Sequence, residues 1–77
     1  MTDKKTFIVK GYSDIESALV ESQDKSIGVW IGESDKALGR WVYVTVNRGV
    51  FVNVGPTIHK FHSFSEAINY ITEFLFN

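Results

Sequence analysis

Arg40–Val54, RWVYVTVNRGVFVNV, consists of two alternating runs of β-branched and aromatic residues separated by a short polar break. Val42, Val44 and Val46 share one parity, and Trp41, Tyr43 and Thr45 the other; β-branched and aromatic residues at period two mark a strand. The alternation resumes at Val50, Val52 and Val54, with Phe51 and Asn53 opposed to them. Asn47-Arg48-Gly49 between the two runs suits a three-residue turn of type I whose third residue, Gly49, is left-handed. An odd loop preserves parity, so Val46 should face Val50, Val44 should face Val52 and Val42 should face Val54. A two-residue loop would mix valines with rings on both faces, and a slip of one residue would cost the burial of a whole side. The stretch therefore predicts a β-hairpin with a valine face turned to the core.

The reverse face, with Trp41, Tyr43, Thr45, Phe51 and Asn53, is half aromatic and half hydrogen-bonding. Monomers leave few large apolar patches open, so cover by another helix or by a second copy of the chain is one expectation. The other is a binding platform of rings with polar partners.

Outward from the hairpin, Ile27–Gly32 reads as a strand with Ile27, Val29 and Ile31 on one face and Trp30 on the other. Thr6–Lys10 reads as a first strand, and residues 1–5 as a frayed end. Ser13 followed by Glu16 has the form of a capping box, which predicts a helix over about Asp14–Asp24 with Ile15, Ala18, Leu19 and Ser22 on its buried stripe. Glu33–Gly39 is the longest connection. Gly55-Pro56 ends the second hairpin strand, and Thr57–His62 reads as an edge strand. Ser63 and Glu66 repeat the capping box ahead of a stronger helix, whose stripe of Phe64, Ala67, Ile68, Ile71, Phe74 and Leu75 should lie across the valines. The expected fold is a single small α+β domain over residues 1–77, an antiparallel sheet of four to five strands in the order β-α-β-β-β-(β)-α, with the C-terminal helix packed on one face.

With 77 residues and no cysteine, the chain must hold one modest core without disulfides; six Phe, three Tyr and two Trp make that feasible. MTDKK is charged and the apolar run after it is short, so neither a signal peptide nor a membrane span is read, and a cytoplasmic protein is expected. The net charge of −1 predicts no polyanionic partner by itself. Its distribution is uneven: Asp14, Glu16, Glu21 and Asp24 fall in one helix and Glu66 and Glu73 in the other. From Lys36 to Ser65 there are Lys36, Arg40, Arg48 and Lys60 and no acid.

No catalytic constellation stands out, and no cofactor or metal is expected. His59 and His62, three apart on a strand, point to opposite faces and cannot converge on an ion. G-x-S-x-G is absent, and Gly28, Gly32 and Gly39 form neither phosphate-binding pattern. A non-enzymatic binding module remains, most readily a regulatory or inhibitory protein acting on a protein partner, with self-association as a homodimer the plainer alternative. Trp41, Tyr43, Phe51, Asn53, Arg40, Arg48 and Trp30 are its expected contact residues, since Trp, Tyr and Arg are enriched at hot spots. Nucleic acid is the alternative partner, with bases on a weakly basic aromatic sheet. The helix, three strands, helix order is similar to that of double-stranded-RNA-binding domains. Gly39-Arg40-Trp41-Val42 with Phe61-x-Ser63-x-x-Glu66-Ala67 resembles the sheet and helix of AP2-type DNA-binding domains. The lysine pair and basic second helix of the former and the arginine-rich strands of the latter are missing here.

Overall fold

A computed structural model describes residues 5–34 and 39–77 of the chain. The hairpin is formed by β3 (Trp41–Val46) and β4 (Val50–Val54), with Val46 opposite Val50 and Val44 opposite Val52. The odd turn is present, but its geometry differs from the expected one. Arg48 is left-handed at φ 56° and Gly49 follows at φ 137°, while the Asn47 N–H donates to the Gly49 carbonyl at 2.9 Å. The chain thus reverses one residue earlier, and a non-glycine residue carries a conformation that costs roughly 1–2 kcal/mol.

Around the hairpin lie β1 (Lys5–Ile8), α1 (Tyr12–Lys25), β2 (Val29–Gly32), β5 (Thr57–Phe61) and α2 (Phe64–Phe76). The strands stand in the order β1-β2-β3-β4-β5. The α+β domain is therefore as expected, but the sheet is mixed: β1 and β2 are parallel, whereas the other three pairings are antiparallel. Helix α1 carries the chain back along the sheet before β2 begins, and such a crossover is what parallel neighbours require. Lys5 belongs to β1 instead of a frayed end. The remainder of that expectation, and Lys36 in the long connection, lie outside the described residues. A two-residue connection, Gly55-Pro56, joins β4 to β5, with Gly55 at φ 59° in the glycine-first pattern of a tight hairpin.

Both helices pack on the valine side. Val29, Ile31, Val42, Val44, Val50 and Val52 are buried beneath Ile15, Ala18 and Leu19 of α1 and Ala67, Ile68, Ile71 and Leu75 of α2, in one cluster. Val46 and Val54, at the hairpin ends, are only partly covered. Each fully buried aliphatic side chain contributes about 1.5–3 kcal/mol, which is how so short a chain holds together. Ser22, the polar member of the α1 stripe, is fully buried; its Oγ donates to the Ile27 carbonyl at 2.6 Å and accepts from the Val46 N–H at 3.2 Å, tying α1 to the sheet. His59 is half-buried, its ring 4.8 Å from that of Tyr70, so it closes the β5 side of the core; His62 is exposed.

The two helix starts differ. At α2 the expected box forms: Ser63 Oγ accepts from the Glu66 N–H at 3.3 Å, and Glu66 Oε1 accepts from the His62 N–H at 3.3 Å. At α1 it does not. The helix begins at Tyr12, with Gly11 as its cap, and Asp14 Oδ2 takes the Lys10 N–H at 2.8 Å. Asp14, third in a helix that starts at Tyr12, reaches back past the Gly11 cap as Glu66 reaches back past Ser63, and this earlier start leaves Ser13 inside the helix. Near the other end, Glu21 bridges Lys5 at 2.6 Å and Lys25 at 2.8 Å. These hydrogen bonds, Lys25's first and Lys5's second, hold its carboxyl at about 2, well below the ordinary value of 4.5. Among the described residues, no helix is long and apolar enough to cross a membrane.

Two measurements check this account. Ser63→Ala should lower unfolding free energy by about 1 kcal/mol in urea titrations, whereas Ser13→Ala should leave it nearly unchanged. Because the Glu21 carboxyl is depressed on folding, its stabilisation is present above pH 4.5 and is lost as pH falls towards about 2. The stability gap between wild type and Glu21→Gln should therefore narrow across that window in acid melts, and a gap independent of pH would contradict the bridge.

Candidate functional site

With both helices on the valine side, the reverse of the sheet is left without a covering element among the described residues. Helices α1 and α2 do not cover it, which removes the helix half of the expectation that a helix or a second copy does. The pairing places Trp30 of β2 opposite Tyr43, Tyr43 opposite Asn53, and Asn53 opposite Ile58, so one row crosses the sheet. Trp30 and Ile58 are exposed at 36% and 62%, while Trp41, Tyr43, Phe51 and Asn53 are half-buried.

The rings are held by glycines. A Cβ on Gly28 would fall 1.8 Å from the Tyr43 hydroxyl oxygen, and one on Gly32 would fall 2.6 Å from the Trp41 ring. Tyr43 and Trp41 therefore lean from β3 onto bare backbone at β2, on either side of Trp30. Rings that cover glycines restore the packing that a strand glycine forfeits. Trp30 and Tyr43 meet with centroids 4.9 Å apart and planes tilted by 56°, within the favourable range for aromatic pairs.

Leaning towards β2, the rings leave the β4 side open. Trp30, Trp41, Tyr43, Asn53 and Gly55 line a cleft of about 440 Å³, within the size range of ligand sites. Its chemistry is neutral. The Trp30 and Trp41 indole N–H groups, the Tyr43 hydroxyl and the Asn53 carboxamide have no hydrogen-bond partner among the described residues. Of the described strand residues on this face, only Lys60 is charged; its Nζ lies 5.6 Å from the centre of the Phe51 ring. The carboxylates of α1 and α2 belong to the opposite layer. The chain matches no family model, no curated protein and no solved structure. What the site can do must come from its own geometry.

The structure divides the residues expected to act together. Trp30, Trp41, Tyr43 and Asn53 converge on the cleft. Phe51 stands apart beneath Lys60. Arg48 is exposed at the hairpin tip, beyond the far end of β3 from Trp41. Arg40 turns to the helical layer, where its Nη1 donates to the Phe74 and Asn77 carbonyls, each at 2.7 Å, and its guanidinium lies 5.8 Å from the Phe74 ring centre. It thereby satisfies carbonyls at the α2 C-terminus, which end without partners of their own. Sequence reasoning missed Gly28, Gly32 and Gly55. The signal was available in Gly28-Val29-Trp30-Ile31-Gly32, where two glycines share the parity of Trp30. Among the described residues no group of three His, Asp or Glu side chains could hold a metal ion.

The seat of Tyr43 is testable. Gly28→Ala should destabilise by about 1–3 kcal/mol through overpacking, and most of that cost should vanish when Tyr43 is already alanine. Additive effects in such a double-mutant cycle would place the Tyr43 ring elsewhere.

Proposed function

We propose that this protein is a non-enzymatic binding module, regulatory or inhibitory in character, that engages a protein partner through the open aromatic face of its sheet. One observation carries the proposal: both helices pack on the valine side, while the other side presents Trp30, Trp41 and Tyr43 around a cleft with unspent hydrogen-bonding groups. Aromatic rings fixed by their own sheet lose little freedom on contact, which is the property of interface hot spots. The rings are also amphipathic, so the face tolerates water when free and excludes it when bound.

Nucleic acid is the second reading, supported by a sheet face with Lys60 beside Phe51 and no carboxylate among its described strand residues. It ranks lower because Arg40 is committed to the α2 carbonyls and Arg48 sits at the distant tip. Few bases then remain on the face to release counterions from a phosphate backbone.

Immobilised protein, presented to lysate of its native host after nuclease treatment, should retain a defined protein. Trp30→Ala should weaken that retention by about tenfold or more, the loss expected of a hot-spot ring. Val20→Ser, on the exposed side of α1, should not. Retention indifferent to Trp30→Ala, or abolished by nuclease, would overturn the protein-partner reading.

A further inference from the structure

The hydrogen-bonding inventory of the cleft selects among partners. Resting on the function just proposed, we infer that the cleft takes a proline-rich segment of the partner, in the polyproline II conformation, laid across β2, β3 and β4. The Trp30 and Trp41 indole N–H groups can only donate, the Asn53 carboxamide offers a donor and an acceptor, and none of the three side chains makes a hydrogen bond within the described chain. The occupant must therefore bring acceptors. A polyproline II segment has every carbonyl free, because that conformation makes no internal hydrogen bonds, and its prolines bring no N–H of their own. Its pyrrolidine rings pack on aromatic walls, as in other aromatic-lined grooves that bind such segments.

Charge and size agree. The cleft is lined by uncharged side chains, so an uncharged segment loses no ionic hydration on entering, whereas a phosphate-bearing ligand would meet no cation there. From β2 to β4 is two strand spacings, about 10 Å, close to the roughly 9 Å of one polyproline II turn. A second copy is a poorer occupant. The cleft itself spans only the two strand spacings from β2 to β4, a small part of the roughly 800 Å² per partner that a standard interface buries. A short segment suits that footprint better than a second folded chain.

Titration of the whole protein with a blocked polyproline peptide about ten residues long, followed by amide and indole N–H resonances, tests the inference. The two indole cross-peaks should shift saturably. Asn53→Ala and Trp30→Ala, shown to be folded by their amide spectra, should each weaken binding about tenfold. Trp41→Ala is avoided because that ring covers Gly32. A blocked glycine-serine peptide of equal length should leave the indoles unmoved. Equal shifts with both peptides would overturn the choice of proline while leaving protein binding intact. So would a captured partner that contacts the Trp30 face through a segment lacking proline. Indoles that respond only to single-stranded oligonucleotide would overturn both, and a silent titration with concentration-dependent sedimentation would assign the face to a second copy.

Discussion

Val46 stands opposite Val50 and Val44 opposite Val52, and this register obliges every other surface of the molecule to follow. Parity is conserved across an odd turn, so one side of the hairpin is wholly aliphatic and can be dried by two helices. The same arithmetic sends Trp41, Tyr43, Phe51 and Asn53 to the reverse side, whatever their own preference for burial. The left-handed Arg48 belongs to this constraint: the strain at one turn residue is small beside the burial of Val42, Val44, Val50 and Val52.

Rings expelled from the core must still find packing, and β2 supplies it. Gly28 and Gly32 flank Trp30 on its own parity, leaving two stretches of backbone without side chains, and Tyr43 and Trp41 lie down on them. The arrangement fixes χ angles that would otherwise be free. It also draws the rings away from β4, where Asn53 and the bare Gly55 leave space. The cleft is thus a by-product of how the sheet repairs its own glycines, and its walls are rigid because they are also structural contacts.

What was legible in the sequence was local. The hairpin register, the Ser63–Glu66 box and the buried stripes of both helices follow from periods and caps within a few residues. The parallel β1/β2 pairing was not, since Thr6–Lys10 has the same alternation whichever neighbour it takes. The start of α1 is not local in this sense, because Asp14 and Glu16 are equivalent carboxylates, each third after a possible cap, Gly11 or Ser13. Arg40, beside Trp41, reads as a partner contact because nothing in the primary structure says that the α2 C-terminus arrives there. The site was visible as residue types, while the glycines that shape it became meaningful only once β2 was set beside β3.

The crossover from β1 to β2 settles which layer stays open. Val29 and Ile31 share the side of the hairpin valines, so α1 must place Ile15, Ala18 and Leu19 on that side, beside α2. Had α1 crossed on the other side, it would have covered Trp30 and left Val29 and Ile31 half-dry, losing part of the about 1.5–3 kcal/mol that full burial of each such side chain contributes. The acidic residues ride with the helices, and the sheet face is left nearly uncharged. Trp30 is the residue in which the two demands separate most clearly. It packs on Tyr43 alone among the rings, stays more than a third exposed and belongs to no buried cluster. A large indole left more than a third exposed keeps part of its apolar surface in water, and it is on that part that the proposed contact draws.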